Sequence, residues 1–471
     1  MSFRMHPQRI WLAVIIAAGS VFRLIGLNSD LWLDEVGTVI TYLRLPASEV
    51  IRTFHSANQH LLYSILGSLS FSLFGESAWS ARLPAVLFGI GAIPGLYYFA
   101  RVMVCRREAL FCAALLAFSY HHVWFSQNAR GYSAMVFWSV WGTGFFLRAV
   151  EDGKRSFWFG WVVSMAAGIC SLNNTAFVFL GQLAAWAALR HRYKGVSYRL
   201  FAGAAGVILL AVLSHSLILE QMVRFYRTED RTALGWFSIG EFAPVVFHGL
   251  IFGLGAAGLL GFTFLMGAGW LSLWKTHRLA SLVMVIPPVL NGMALVALHY
   301  GAYPRSFLYL LPVAIIIAVR GAMAIAEWAM EHRLLTWNAG TLMLSVVLAV
   351  NAPFVIKNYL HPKQDYSGAL AFVEGAKAPG DVVVALGLAG NVYRRYYAPS
   401  ILVPSDAAEV AGLRRGKHAI WVLYSFPRDM KLRFGDLYAY ITSNSRPVKV
   451  FPGTLSDGEI HVVRIEAAHA P

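Results

Sequence analysis

The sequence predicts a polytopic α-helical membrane protein of about eleven spans with a small carboxy-terminal α/β domain. Three observations predict it. The 471 residues are 58% hydrophobic and only 13% charged, where a soluble globular chain carries roughly 25% charged residues. Apolar runs of helical length recur from Ile10 to Val355. The Lys and Arg residues between those runs fall in alternate connections, as the positive-inside bias requires. A chain with 14% aromatic residues cannot stay solvated, which excludes disorder. The net charge of +15 comes without an interleaved basic and aromatic patch, so no nucleic acid is expected as a partner. Cys105, Cys112 and Cys170 lie in or beside apolar segments without metal-ligand spacing, and neither a disulfide framework nor a zinc knuckle is expected.

Arg4 and Arg9 before the run Ile10–Ser20 have the order of a secretory signal, but no small-residue cleavage site follows. The run continues to Leu27 and, at 1.5 Å per residue, approaches the roughly 30 Å hydrocarbon core, so it reads as a retained first span. Further spans are expected at Leu83–Phe99, Leu110–Tyr120, Tyr132–Val150, Phe157–Leu172, Phe177–Leu189, Leu200–Leu219, Ala257–Trp274, Leu279–Leu298, Phe307–Val319 and Leu334–Val355. Leu61–Phe74 is apolar but only about 14 residues long, the length of an interfacial or re-entrant helix. The stretch Glu241–Trp274 reads as one span plus an interfacial segment. With the amino terminus inside, Arg101, Arg106, Arg107, Arg148, Lys154, Arg155, Arg190, Arg192, Lys194, Arg199, Lys275, Arg278, Arg320 and Arg333 stay cytoplasmic. The exoplasmic side, periplasmic in a bacterium, then receives a first loop of about residues 28–82, the 120–131, 220–244 and 298–306 loops, and the tail. Residues 1–356 are thus expected as a transmembrane domain in the inner (plasma) membrane and 361–471 as an exoplasmic α/β domain.

In the tail, Asp365 is placed to cap a helix over Tyr366–Ala376. Apolar β-rich runs at Asp381–Leu386, His418–Tyr424, Val448–Phe451 and Ile460–Ile465 alternate with helical stretches such as Arg428–Thr442. Gly387-Leu388-Ala389-Gly390 lacks a full nucleotide fingerprint and reads as a plain turn.

The chemistry concentrates on the exoplasmic side. Asp34 and Glu35 follow the first span at head-group depth, where a carboxylate pair is a functional-site candidate; the plainer reading is that they cap the next helix. Asn58-Gln59-His60 precede the apolar Leu61–Phe74. Arg130, in the polar island Ser126–Tyr132, and Arg305, after Tyr303 and Pro304, sit at two further boundaries. The plainer reading of Arg130 is a side chain snorkelling to lipid phosphate. Two arginines, a carboxylate pair and a histidine on one membrane face suit a substrate phosphate at head-group level.

These pieces carry a resemblance. Leu31-Trp32-Leu33-Asp34-Glu35, Asn58 to Tyr63, Phe74 to Pro84, Ser126 to Tyr132, Arg305 into Leu311-Pro312, and Lys363-Gln364-Asp365-Tyr366 are similar in order and spacing to the GT-C superfamily of membrane glycosyltransferases. The branch resembled contains the dolichyl-phosphate-mannose protein mannosyltransferases and the lipid A aminoarabinose transferases. The resemblance implies a GT-C-like fold and a polyprenyl-phosphate-linked sugar donor. It implies Asp34 as the catalytic acidic residue with Glu35 as its neighbour, and Arg130 and Arg305 on the lipid phosphate, where His60, Tyr132 and Tyr303 join them and Asn58 and Gln59 are further loop candidates. Many relatives have Pro-Pro where this chain has His60-Leu61, and some have Glu-Lys at Asn58-Gln59. A lysine contact to phosphate and a glutamate contact to metal therefore do not carry over. His60 stands as the substitute for either role, and a divalent metal is the one cofactor left open. The implied activity is inverting transfer of the sugar to a glycan, lipid or protein acceptor at the exoplasmic face. A lipid-linked saccharide flippase or a non-catalytic envelope-polysaccharide assembly subunit are the alternatives; the first conflicts with charges gathered on one face without an internal repeat, and the second would make Asp34 dispensable.

Overall fold

The computed structural model describes residues 7–228, 239–298, 303–332, 339–414 and 418–467. Parts of the expected 220–244 and 298–306 loops, the start of the Leu334–Val355 span, and Arg4 and Arg333 lie outside them. Helix α1 (Pro7–Leu24) leads to a first loop that is itself helical: α2 (Leu33–Thr38) runs into a π-helical turn (Val39–Leu43), then α3 (Ala47–Val50) and α4 (Leu61–Phe74). Next come α5 (Ala78–Ala100), α6 (Arg106–Ala117), α7 (Tyr120–Ser126), α8 (Tyr132–Asp152), α9 (Arg155–Ser171), α10 (Thr175–Ala188), α11 (Ser197–His215) and α12 (Leu219–Thr228). The helical part ends with α13 (Ile239–Thr276), α14 (Arg278–Ala297), α15 (Leu310–Glu331) and α16 (Ala339–Leu360).

Among the described residues α5, α11 with the short turn before it, α14 and α15 are long and apolar enough to cross a membrane. The pair α6 and α7, bent by 57°, makes a fifth. The main core of this part buries Leu96, Phe146, Trp161, Met165, Met284 and Ile316. Where α13 crosses α15, Gly269 and Gly321 face the partner backbone, and a Cβ on either would run into the carbonyl of Ile317 or Leu265. Small residues let the two helices approach at this point. Arg23, buried in α1, explains how the bend after α6 is tolerated. Its guanidinium donates to the carbonyls of Leu116 (3.1 Å) and Ala117 (2.9 Å) at the helix end, where the intrahelical ladder runs out.

Several expectations are corrected. The 120–131 loop begins with α7, because Ser119 caps it by accepting from the His122 N–H (3.4 Å). Arg106 and Arg107 open α6 and are not loop residues, and α5 starts at Ala78, where Ser77 accepts from the Ser80 N–H, so Arg82 lies inside a helix. The stretch expected as a span plus an interfacial segment is one 38-residue helix, α13, despite Pro244.

The tail opens with α17 (Tyr366–Ala376), capped as expected by Asp365, which accepts from the Gly368 N–H at 3.0 Å. Then follow β1 (Val382–Ala385), α18 (Gly387–Val392) extended by a second π-helical turn (Tyr393–Tyr397), α19 (Ala407–Arg414), β2 (Ile420–Tyr424), α20 (Pro427–Arg433), α21 (Gly435–Asn444), β3 (Ser445–Phe451) and β4 (Ile460–Ile465). Gly387 thus opens a helix, not a plain turn, and the expected Arg428–Thr442 helix breaks at Phe434, whose backbone leaves the helical region (φ −128°, ψ 44°). The sheet has the order β1-β2-β4-β3, with β1 parallel to β2 and the other pairs antiparallel.

Strand alternation splits the tail's apolar residues between two cores. Ile420, Val422 and Tyr424 pack with Met430 and Ile441. Trp421 and Leu423 face the other way, into a core shared with Tyr366 and Tyr393 of the tail and with Leu31, Val36, Val39 and Tyr42 of the first loop. One apolar core therefore holds the first loop against the tail, and α2 lies between the tail and the helical part.

Candidate functional site

Asp34 and Glu35 are neighbours in α2 with different surroundings, since successive helix residues point about 100° apart. Glu35 is 0% exposed. Its Oε1 accepts from Arg82 Nε (2.8 Å) and the Ala129 N–H (2.7 Å), and its Oε2 from Arg82 Nη2 (2.6 Å) and the Trp32 N–H (3.3 Å). Burial alone would raise its carboxyl pKa, but Arg82, and after it Lys363, outweigh burial and hold it below the ordinary glutamate value. Arg82 uses its other donors on the carbonyls of Leu27, Ser29 and Asp30, each at 2.8 Å. The pair joins α5, α2, the end of the first span and the Asn128–Ala129 turn. Expected as a catalytic partner of Asp34, Glu35 is instead a buried anchor with both oxygens occupied. It is also the capping carboxylate of the plainer reading, through its bond to the Trp32 N–H.

Asp34 turns the other way, onto a cavity of about 370 Å³ also lined by Asn58, Gln59, His60, Arg130, Tyr132, Asn174, Phe177, Asn291, Tyr303 and Arg305. Arg130 Nη1 bonds Asp34 Oδ2, and Arg305 Nη1 lies 3.3 Å from the same oxygen. Arg130, only 3% exposed, does not snorkel to lipid. Its Cζ lies 5.4 Å from the Tyr132 ring centroid, and its Nε is buried without an acceptor among the described residues. Arg305 stacks over Tyr303 at 4.5 Å. Eight of the nine sequence candidates, Asp34, Asn58, Gln59, His60, Arg130, Tyr132, Tyr303 and Arg305, therefore line one cavity with cationic groups converging on one carboxylate.

His60 joins them as a brace. Its Nδ1 accepts from the Gly131 N–H at 2.6 Å, and its Nε2 lies 3.3 Å from Arg130 Nη2. Burial first, then Arg130 and Arg305, push its pKa well below the ordinary histidine value, so it is neutral at pH 7. Gln59 is committed to the loop: its amide donates to Val50 (3.2 Å) and Thr53 (3.0 Å) carbonyls. The residues present do not fit a divalent cation. Asp34 is covered by two guanidiniums and one His60 nitrogen is taken by a backbone N–H. No group of three His, Cys, Asp or Glu side chains able to hold a metal ion occurs among the described residues.

Sequence reading missed Asn291, 0% exposed, whose amide donates to the Ser306 carbonyl (3.3 Å) and to Tyr309 (3.2 Å) and so fixes the segment carrying Arg305. The available signal was an amide inside the apolar run Leu279–Leu298. It also missed Lys363, 5% exposed, which donates to the Gln127 carbonyl and lies 5.0 Å from the Trp124 ring centroid.

Lys363 supplies a stability test. Burial, the larger effect, lowers its pKa from 10.5 to about 7 although Glu35 pulls the other way. The unfolded chain therefore takes up the proton as pH falls through 10.5, whereas the folded protein waits until about 7. Wherever the unfolded state binds more protons, stability rises with pH. Thermal melting in detergent is expected to shift upward between pH 7 and pH 9, and Lys363→Met to flatten that rise; an equal rise in the variant would remove Lys363 as its source.

Residues 59–218 match the family model of the dolichyl-phosphate-mannose-protein mannosyltransferases. The match includes His60, Arg82 and Arg130 but not Asp34 or Arg305. The structure of ArnT from Cupriavidus metallidurans bound to undecaprenyl phosphate aligns with a TM-score of 0.57 at 16% identity, covering 98% of this chain and 99% of that one. The chain has the GT-C glycosyltransferase fold. The Archaeoglobus fulgidus oligosaccharyltransferase in complex with Zn and sulfate aligns at 0.55 and 12% identity, over 95% of this chain and 72% of that one. No curated protein sequence matches the chain. The GT-C fold is thus shared almost end to end, the tail included, with a structure bound to a polyprenyl phosphate.

Proposed function

We infer that this protein is an inverting glycosyltransferase that takes a sugar from a polyprenyl-phosphate carrier and passes it to an acceptor at the exoplasmic face of the inner membrane. The observation that carries this reading is one carboxylate, Asp34, met by Arg130 and Arg305 at a cavity walled by span residues. The proposed topology has about eleven spans in residues 1–356 and an exoplasmic unit over 361–471. The undecaprenyl phosphate bound in the ArnT structure of the same fold supports the donor class.

Two guanidiniums beside one carboxylate suit a phosphate better than they suit Asp34 alone, because arginine binds phosphate oxygens bidentately. When the donor enters, its phosphate draws Arg130 and Arg305 away from Asp34 Oδ2. The freed carboxylate then takes the proton of the acceptor hydroxyl as its oxygen attacks C1. The bond from C1 to the phosphate oxygen breaks on the opposite side, its electron pair stays with the phosphate, and the configuration at C1 inverts. A phosphate monoester is a stable leaving group, so no second carboxylate is needed as acid, in contrast to glycoside hydrolysis. The two arginines hold the charge that develops on it. Glu35 and Arg82 keep α2 in place, and His60 holds Arg130.

Arg130→Ala is expected to weaken binding of radiolabelled undecaprenyl phosphate by about 10- to 100-fold, the size of a lost charge-assisted contact. Retention of the label on purified protein measures it, and unchanged affinity would take Arg130 out of the phosphate site. The stereochemistry is tested by NMR of the product: an anomer retained from the donor would exclude a single displacement.

A further inference from the structure

A second cavity, of about 520 Å³, lies at the opposite end of the helices that line the Asp34 cavity. Helix α8 begins at Tyr132 on the Asp34 cavity and reaches this one near its other end, at Glu151. Helix α14 begins here with Arg278 and carries Asn291 to the Asp34 cavity. The 21 residues of α8, at 1.5 Å each, cover roughly 30 Å, the thickness of a hydrocarbon core. The two cavities are thus a membrane thickness apart, and the second falls on the cytoplasmic side of the proposed topology.

Cations gather here without carboxylates to match them. His191 and Arg192 stand in the turn after α10, which is fixed by the Arg192 N–H on the Leu189 carbonyl (2.9 Å) and the Tyr193 N–H on the Arg190 carbonyl (3.2 Å). Lys275 and Arg278 flank the junction of α13 and α14, where the His277 backbone leaves the helical region (φ −133°, ψ 64°). Glu151 is the one carboxylate lining the cavity among the described residues. His191, Arg192, Lys275 and Arg278 are exposed, and none of them makes an ion pair among the described residues. No side chain caps α14, whose first residues line the cavity, so the positive end of its dipole adds to that charge. The rim on α13 has the character of a membrane boundary. The Arg278 Cζ lies 5.9 Å from the Trp274 ring centroid, Trp274 stacks on Trp270 at 5.3 Å, and Leu271, one turn before Lys275, is 54% exposed. Tryptophan is enriched at head-group level, and the exposed leucine offers apolar surface to an acyl chain.

We propose that this cavity holds the head group of an anionic phospholipid of the cytoplasmic leaflet, with its phosphodiester oxygens against Arg192, Lys275 and Arg278 and its acyl chains along α13. Basic pockets between spanning helices on the cytoplasmic side are suited to such head groups, because guanidinium and ammonium groups meet the phosphate while lipid reaches the site from the side. A zwitterionic head group brings its own ammonium, which the three cations repel, so the site favours a phosphodiester carrying only hydroxyls. A soluble phosphate shares the oxyanion chemistry but has no chain to lay on the exposed α13 surface. The bound lipid joins the turn after α10 to the start of α14, and it does so whatever reaction Asp34 serves.

The test uses the full-length protein, delipidated in detergent, with phosphatidylglycerol and phosphatidylcholine of identical acyl chains as probes and native mass spectrometry and thermal melting as readouts. Phosphatidylglycerol is expected to bind about tenfold or more tightly and to raise the melting temperature, as a ligand of the folded state does. The triple variant Arg192→Gln, Lys275→Gln, Arg278→Gln should lose both effects. A second triple variant, Arg106→Gln, Arg107→Gln, Arg155→Gln, removes the same charge from exposed positions outside the cavity and should keep them. Glu151→Gln removes no cation and should tighten phosphatidylglycerol binding, which keeps the test open should the first triple variant fail to fold. Equal binding of the two lipids, equal loss in both triple variants, or weaker binding in Glu151→Gln would overturn the proposal. Inorganic phosphate or glycerol 3-phosphate that reproduces the melting shift at the same concentration would assign the site to a soluble anion and overturn the lipid.

Discussion

Asp34→Asn is expected to lower sugar transfer by about 10²- to 10⁴-fold, the usual contribution of a general base, while leaving donor binding intact. The amide keeps the shape of the carboxylate, so α2 and its buried neighbour Glu35 are undisturbed. It removes the charge that Arg130 and Arg305 both contact. With that competitor gone, the two guanidiniums are more available to the donor phosphate, and undecaprenyl phosphate should bind at least as tightly as before. A merely structural role for Asp34 predicts the reverse pattern, with binding, melting temperature and transfer falling together. The combination of lost turnover and retained or improved lipid binding therefore identifies the base.

The second large effect concerns the anchor below it. Arg82→Leu is expected to prevent accumulation of folded protein, because it strands Glu35 in a site where both partners are almost fully buried. Removing one member of such a pair typically costs about 3–5 kcal/mol, and here three loop carbonyls lose their donor as well. Replacing both members, Glu35→Leu with Arg82→Met, removes the stranded charge and is expected to recover part of the folded yield. It does not restore transfer, since the Ala129 N–H loses its acceptor and the turn carrying Arg130 is released. Size-exclusion profiles and melting in detergent check both statements. A single Arg82→Leu variant with the parent melting temperature would show that Asp34 is held by other contacts.

Much of this arrangement was legible from the residues because charge at a membrane boundary is costly and therefore conspicuous. Asp34, Arg130 and Arg305 stood out for that reason, and the structure brings them together across up to 271 residues of sequence. The four tail strands were legible through β-branched runs, and the cap at Asp365 through its position before an apolar helix. Glu35 was misread because adjacency in sequence gives no sense of direction: on α2 one carboxylate faces the cavity and the next faces Arg82. The helix α7 was hidden by polar residues, of which Tyr120 meets Phe354 of α16 and His122 meets Arg23 of α1. The core that the first loop shares with the tail explains why the tail matters to chemistry: its sheet buries one face on the loop that bears Asp34.

The most direct measurement of the central claim is transfer of label from a panel of radiolabelled polyprenyl-phosphate sugars to envelope acceptors in liposomes, with the unaltered protein beside Asp34→Asn. Label that leaves the lipid only when Asp34 is intact, with undecaprenyl phosphate retained by Asp34→Asn at least as well as by the unaltered protein, is the predicted result. Equal transfer by both proteins, or none from any donor by a folded protein that still binds polyprenyl phosphate, would contradict it.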